Sequence, residues 1–432
     1  MNQHTSSGHN RVAPAILACL VQAVLVSCAE KQPSAPPRPP TADVALVDGP
    51  GPRLRLVDSV IFQESDTLYL GKVGQSFAVD NGGMIYLPDE LSDHLIQYSP
   101  AGKPVRVFGK PGHGPGELAS IGVPFVIDSF LVQAHGTSRL AFFDLRTGNY
   151  LFSRLFRGYT TSIAIAAGVA WIGVFDLESR HGVAEIASPT FFAPDSSEGY
   201  GVVPASRVPC PTEYSAYPGL DIFNYVSVTA VGDRIVVGYA GGSDALILYD
   251  PRSGVTDTID VPVVARRGMG IKALAKLAPG ARARASEQLM AVSALYGLWT
   301  LSDGSILTWH EDNSAKPRGR RGLSAMSGRA FLSIVAADMT RACVDSEVSF
   351  PGTEWPRIAF AHDTVYALDQ TVPDSGAPRV VTVARRYAVD TTGCRWLKLQ
   401  RAGTTPMAVP STAAGRRAHA SDAANPPAVP GS

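Results

Sequence analysis

Residues 77–118 read FAVDNGGMIYLPDELSDHLIQYSPAGKPVRVFGKPGHGPGEL. Four short runs stand out within them: Phe77-Ala78-Val79, Met84-Ile85-Tyr86-Leu87, Leu95-Ile96-Gln97-Tyr98 and Val105-Arg106-Val107-Phe108. Each has the length of a strand, is rich in β-branched or aromatic residues and is bounded by turn chemistry. Asp80-Asn81-Gly82-Gly83 supplies residues that tolerate positive φ, as a tight hairpin requires, and Ser99-Pro100-Ala101-Gly102 is a second such turn. Four strands joined by hairpins within about 45 residues are the unit of a β-propeller blade.

The rhythm continues outward. Val126–Val132, Leu140–Asp144 and Tyr150–Phe152 repeat it, followed by Ile163–Ile165, Val169–Gly173 and Val183–Ile186. Further copies begin at Val226, Gly297 and Ile358, which makes six units between residues 53 and 400. These units exceed the ~40–45 residues of a minimal blade, so insertions are required. Residues 187–222 carry six prolines and read as a long loop. Residues 264–296 show helical spacing at Ile271, Leu274 and Leu277, a stop at Pro279-Gly280, and a second run from Ser286 to Leu295. The expected fold is all-β: a six-bladed β-propeller over 53–400 with a small helical and loop insertion at 264–296. The strand Leu54–Val57 is expected to pair with the last unit and close the ring, which removes exposed edges.

Val79-Asp80 through Tyr86, then Leu95 to Lys103, then Phe108-Gly109 and Gly112-His113-Gly114-Pro115-Gly116-Glu117-Leu118 resemble an NHL repeat. The whole chain resembles the NHL-like, six-bladed propeller lipoproteins of bacteria. The sharp motif covers 77–118; the other units match it in rhythm. Gly109–Gly116 is glycine-rich but lacks a Gly-Lys-Ser/Thr ending and opens no helix, so it is read as an inter-blade connection, not a phosphate loop.

The N-terminus reads as an address. An apolar run from Ala13 to Val26, broken by Gln22, is too short for a membrane span of ~20 residues and fits a signal-peptide core of 7–15. It ends in Leu25-Val26-Ser27-Cys28, which resembles a bacterial lipobox, with Cys28 the lipidated residue. Residues 1–27 are thus expected to be a lipoprotein signal peptide, and 28–52, rich in proline, an extended tether. By resemblance to lipoprotein sorting, Ala29 directs the chain to the outer membrane of the cell envelope. Residues 401–432 hold Ala, Pro, Thr and Ser without an aromatic and are expected to be a disordered tail. Export implies an oxidising compartment. Beyond Cys28 there remain Cys210, Cys343 and Cys394, so at most one disulfide forms. Cys343 and Cys394 follow similar segments, as equivalent repeat positions do, and such positions are often far apart.

Lys+Arg and Asp+Glu both number 38, which gives no global ground for nucleic-acid binding. Locally, Arg266–Arg329 holds eleven basic against four acidic residues, which suits either a solvated loop or an anion-binding face. Nucleic acid conflicts with the export signal. No nucleophile elbow, His-Glu-x-x-His or other dense metal spacing is present, so no catalytic or metal residues are assigned. In a four-stranded blade the loop between second and third strands shares a face with the loop entering the next blade. That rim gathers Asp89, Asp93, His94, His113, Arg139, Asp176, Arg180, His181 and Asp244, which are the candidate binding residues. The expected function is a lipid-anchored envelope module that binds a ligand, protein or glycan without catalysis. The alternative is a metal-dependent hydrolase or lyase. Some propellers resembling this one are calcium-dependent lactonases or zinc-dependent amidating lyases, with ligands such as Asp89, Asp93, Asp176 and Asp244 converging on the channel.

Overall fold

The computed structural model describes residues 51–65, 68–74, 76–135, 139–155, 158–176, 181–186, 207–208, 225–240, 244–267, 293–312, 314–317, 323–326, 329–350, 357–371 and 380–406. They form an all-β propeller, with no helix among the described residues.

Six antiparallel sheets follow one another along the chain. Sheet I pairs Ala78–Val79, Ile85–Asp89, His94–Tyr98 and Pro104–Phe108, the residues of the opening motif. Sheet II runs from Ile121–Ile127 through Phe130–His135 and Arg139–Asp144 to Tyr150–Leu155. Sheet III comprises Tyr159–Ala166, Val169–Asp176, His181–Ile186 and Arg207–Val208. Sheet IV comprises Val226–Val231, Arg234–Tyr239, Ala245–Asp250 and Val255–Asp260. Sheet V comprises Ser293–Thr300, Ile306–Asp312, Ala330–Val335 and Arg341–Val348. Sheet VI comprises Arg357–Ala361, Thr364–Thr371 and Val381–Asp390. Five of these sheets have a fourth strand of five residues or more. In sheet III it shrinks to two residues, Arg207–Val208, so five full blades stand where six were expected.

Neighbouring sheets meet through apolar clusters. Tyr86, Phe108 and Phe143 join sheets I and II. Phe142 and Ile172 join II and III, and Trp171 and Tyr239 join III and IV. Val236 and Ile306 join IV and V, Trp309 and Tyr387 join V and VI, and Leu368 and Ile85 bring VI back onto I. Alternation makes this possible: the two faces of each second strand serve two different clusters, as Tyr86 and Leu87 do.

The first and last described strands both lie on outer edges. Arg53–Ile61 is the fourth strand of sheet VI, paired from Arg53↔Asp390 to Ile61↔Val383 with a bulge between Leu56 and Asp58. The other end runs backwards over the ring. After sheet VI, Leu397–Lys398 adds a fifth strand to sheet V and Gln400–Pro406 a fifth to sheet IV. This covers unpaired edge groups that would otherwise template association. Three expectations change here. Residues 401–406 belong to a sheet, so the expected tail boundary at residue 400 is too early; 407–432 lie outside the described residues. Cys343 and Cys394 are joined, with Cα atoms 5.6 Å apart. They are not equivalent repeat positions, because Cys394 sits on the returning arm, which follows the last blade and lies against the edge of sheet V. Finally, residues 293–296 of the expected helical insertion are the start of a strand in sheet V, where pairing with Ile306–Asp312 overrides the helical spacing. Residues 268–292 lie outside the described residues.

Candidate functional site

A propeller places its first strands at the centre. All six first strands line one cavity of about 310 Å³ on the axis. Ala78 and Val79 come from sheet I, with Ser76 and Phe77 just before it, Phe125 from sheet II, Thr161 and Ser162 from sheet III, Ser227 and Thr229 from sheet IV, Tyr296 and Trp299 from sheet V, and Phe360 from sheet VI. Among the described residues, no Lys, Arg, Asp, Glu or His belongs to this wall.

Three of the first strands carry a β-bulge where they form the wall. Register slips between Ile121 and Pro124, between Thr160 and Ser162, and between Leu295 and Gly297. A bulge inserts an unpaired residue and re-aims its side chain. The inserted residues Thr161 and Tyr296 are both in the wall. Tyr296 is 53% exposed. Gly297, beside it, has no room for a Cβ because the Trp299 ring lies there. Trp299 in turn stacks on Phe360, centroids 5.8 Å apart. Between sheets III and IV the wall is stitched: Ser162 Oγ accepts from Val228 N (2.8 Å), and the Thr161 hydroxyl donates to the Val226 carbonyl. Tyr159 starts the first strand of sheet III and Tyr225 directly precedes that of sheet IV, and the Tyr225 hydroxyl is pushed up, first by burial and then by Tyr159.

The described rim residues make loop contacts. Asp89 is buried, and its carboxylate accepts from Gly71 N, Lys72 N, Leu91 N and Ser92 Oγ. It therefore ties residues 71–72 to its own hairpin. Asp93 holds the turn at φ 49°, and His94 Nε2 lies 3.1 Å from Ser92 Oγ. Arg139 donates to the carbonyls of His113 and Gly114 and to Ser153 Oγ, so it braces the glycine-rich connection. That connection is a short parallel pairing of Lys110–Pro111 with Glu117–Leu118. Asp244 accepts from Arg266. The side chains of Asp176 and His181, and the whole of Arg180 and Cys28, lie outside the described residues. The described rim residues thus fall into separate local networks. Among the described residues no three His, Cys, Asp or Glu side chains come together as metal ligands.

One polar group was not singled out by sequence reasoning. At the end of Ile306–Asp312, His310, Glu311 and Asp312 are all buried. Asp312 accepts from Ser293 Oγ and from Arg267 N (3.1 Å) and pairs with Arg329 (3.4 Å), which also reaches Glu347 (3.1 Å). Burial pushes the Glu311 carboxyl up to about 6, against a hydrogen bond from Trp309 Nε1. His310 is driven well below its ordinary value by burial and then by Arg266, and its Nδ1 has no partner among the described residues. The only trace in the sequence is that an apolar strand ends in three titratable residues. From the basic stretch, Arg267 and Arg329 join this group and Arg266 pairs with Asp244 and Asp345; the side chains of its other basic residues lie outside the described residues.

No family model matches the chain, and no curated protein does. Among solved structures, it is similar to a member of the DUF4221 family from Bacteroides vulgatus, with a TM-score of 0.53 at 12% identity over 79% of this chain and 99% of that one. It is also similar to virginiamycin B lyase from Staphylococcus aureus, with a TM-score of 0.40 at 8% identity over 77% and 99% of the two chains. At such identities the likeness is one of fold, and the fold is the all-β propeller.

Proposed function

We propose that this chain is a lipid-anchored module of the bacterial cell envelope, probing its surroundings through a six-bladed, NHL-like propeller that binds a ligand without transforming it. The blade count of six is supported by the six apolar clusters that join each sheet to the next and the last to the first. On this reading sheet III is a blade whose outer strand is reduced. The anchor is Cys28, the tether is 28–52, and the destination is the outer membrane.

The observation that carries the binding function is the axial wall. Six strands converge on one cavity, three of them bulged there, and among the described residues its wall consists of hydroxyls, aromatic rings and aliphatic chains. The metal-dependent hydrolase or lyase reading draws no support from Asp89 and Asp244, which are engaged in separate loop contacts.

Two measurements test the proposal. The full chain and a Cys28→Ala variant are expressed in a diderm bacterium and fractionated. The reading requires the wild type in the outer membrane and the variant in the soluble periplasmic fraction; the same distribution for both rejects the anchor. The purified protein is then melted against a ligand library with and without chelator. Chelator-insensitive stabilisation without turnover is expected. Turnover of a lactone or an amidated peptide, abolished by chelator, rejects the non-catalytic reading.

A further inference from the structure

We infer that the axial cavity takes a planar aromatic molecule of two or three fused rings, an inference that rests on the reading of the cavity as the ligand site. Three features of the described wall carry it.

The first is where its rings stand. Phe77, Phe125, Trp299 and Phe360 all belong to the wall. They come from sheets V and VI, from the residue just before sheet I, and from sheet II. These sheets are consecutive around the ring, because V meets VI, VI meets I and I meets II. One arc of the cavity is therefore aromatic. Thr161, Ser162, Ser227 and Thr229 bring hydroxyls from sheets III and IV, on the opposite arc.

The second is how far those rings are covered. Aromatic side chains that hold the sheets together are fully enclosed, as Trp171, Trp309, Tyr86 and Phe142 are. Phe125, Trp299 and Phe360 are half-buried. Phe125 rests against the cluster between sheets II and III, and the other two against that between V and VI. Each gives the rest of its ring to the cavity. Concave sites lined by such rings recognise small molecules. A ligand ring set edge-on or offset against them gains beyond the area it covers, and a saturated ring of the same size forgoes that gain.

The third is rigidity. Trp299 stacks on Phe360 with centroids 5.8 Å apart, and Gly297 lacks a Cβ where the indole lies. The aromatic arc is thus set before a ligand arrives, which lowers the cost of binding. The opposite arc serves the fold. Ser162 Oγ accepts from Val228 N, the Thr161 hydroxyl donates to the Val226 carbonyl, and the hydroxyls of Thr229 and Thr300 meet at 2.8 Å. These bonds sew sheet III to IV and IV to V. The volume of about 310 Å³ lies at the lower end of small-molecule sites, ~300–1,000 Å³, which suits a fused bicyclic or tricyclic ring.

The test titrates the full-length chain by calorimetry and tryptophan fluorescence. The probes are 2-naphthol and quinoline, with 2-decalol as the saturated counterpart of 2-naphthol, and dodecanoate and glucose as other chemistries. The aromatic probes are expected to bind, with 2-decalol about tenfold weaker. Phe125→Leu and Phe360→Leu are each expected to weaken 2-naphthol about three- to tenfold and to leave 2-decalol nearly unchanged. The two variants alter different sheets, so one that keeps the wild-type circular dichroism and melting temperature is enough. Ser227→Trp, which fills the cavity, is expected to abolish binding. Tyr69→Ala, at an exposed tyrosine outside the cavity wall, is expected to leave it unchanged. Equal affinity for 2-naphthol and 2-decalol overturns the inference, as does 2-naphthol binding that survives Ser227→Trp or is unaltered in a folded Phe→Leu variant. If dodecanoate or glucose binds in place of the aromatic probes and Ser227→Trp blocks it, the aromatic inference fails and the binding-module reading stands. If no class of small molecule binds, both fail.

Discussion

Arg266 and Asp345 form an ion pair in which both side chains are fully buried, with Nε 2.7 Å from Oδ1. Asp345 stands at a bulge in Arg341–Val348, with φ at 56°, a region that non-glycine residues seldom occupy. Its carboxylate also accepts from three successive backbone N–H groups, Val264, Ala265 and Arg266, and from Ser333 Oγ. One side chain on sheet V therefore fixes the strand exit of sheet IV. Removing one member of a buried pair leaves the other charge uncompensated and costs about 3–5 kcal/mol. Asp345→Ala is expected to fall at the upper end of that range, because four further donors lose their acceptor. Arg266→Met is expected to cost less, because the three N–H groups still hold the carboxylate. Urea unfolding of the two variants checks the order; equal costs would falsify the account of Asp345 as the hub.

The returning arm gives a second prediction. Cys343 and Cys394 are separated by 51 residues. In the chain-entropy model a loop of that size contributes about 4 kcal/mol. The Cys343→Ala/Cys394→Ala variant is expected to lose roughly 2–4 kcal/mol of stability. The loss has a location. Leu397–Lys398 and Gln400–Pro406 are attached mainly by edge pairing, so they should exchange amide hydrogens much faster in the variant, as should Ile259 and Ala342 opposite them. Sheets I and II, which the arm does not touch, should keep their protection. Hydrogen exchange by mass spectrometry reads both, and an arm that stays protected in the variant sinks the prediction.

Gly102 joins the two ends of the ring. It sits at φ 76° in the turn between His94–Tyr98 and Pro104–Phe108. A Cβ there would lie 2.2 Å from the carbonyl oxygen of Ile61, the last residue of the closing strand, and the Gly102 carbonyl accepts from Gln63 N at 2.8 Å. Gly102→Ala thus faces both an unfavourable φ and a backbone clash. The cost is expected at about 1–3 kcal/mol, with the exchange of Arg53–Ile61 raised ahead of other strands. Gly168→Ala is the control: its φ is 74°, but no atom lies within 4 Å. If the two variants are equally destabilised, φ alone explains Gly102 and the contact with Ile61 contributes nothing.

These glycines show what was legible. The turn at Ser99–Gly102 and the runs around it specify sheet I, because each strand carries its own apolar period and its own punctuation. The closing strand is legible for the same reason: Leu54 and Leu56 alternate with charged residues. The returning arm is not. Residues 400–406 have no apolar alternation and become a strand only because an edge is waiting for them on sheet IV. The rim was read as a site because polar loops on one face look alike in sequence. Asp89 and Arg139 also brace loops, through contacts 17 and 18 residues or 25 and 26 residues away that no local reading shows. The cavity wall was missed because Ser76, Thr161, Ser227 and Tyr296 are scattered polar residues in short strands. They converge only once the ring closes, and a bulge leaves no mark in a single sequence.

The buried end of Ile306–Asp312 makes a prediction about pH. Glu311 and His310 point to opposite faces of one strand, as alternation requires. In the folded protein Glu311 titrates near 6, raised by burial. The folded state therefore holds its proton more tightly than the unfolded chain, and stability is lost as pH rises from about 4.5 to about 6, roughly 2 kcal/mol in all. His310 has the opposite sign. Burial, with Arg266 beside it, keeps the ring neutral in the folded state, so the unfolded chain takes up a proton first and stability is lost as pH falls below about 6.5. Between pH ~4.5 and ~6 the two slopes oppose each other. Glu311→Gln removes the first and should leave a protein that weakens steadily on acidification from pH 6.5 to 5. His310→Leu removes the second and should leave one that strengthens from pH 6 to 4.5. Asp369, also raised by burial and present in all three proteins, contributes equally and drops out of the difference. Urea midpoints at half-unit steps give the slopes directly. Parallel curves for wild type and both variants would mean that neither group changes its protonation on folding.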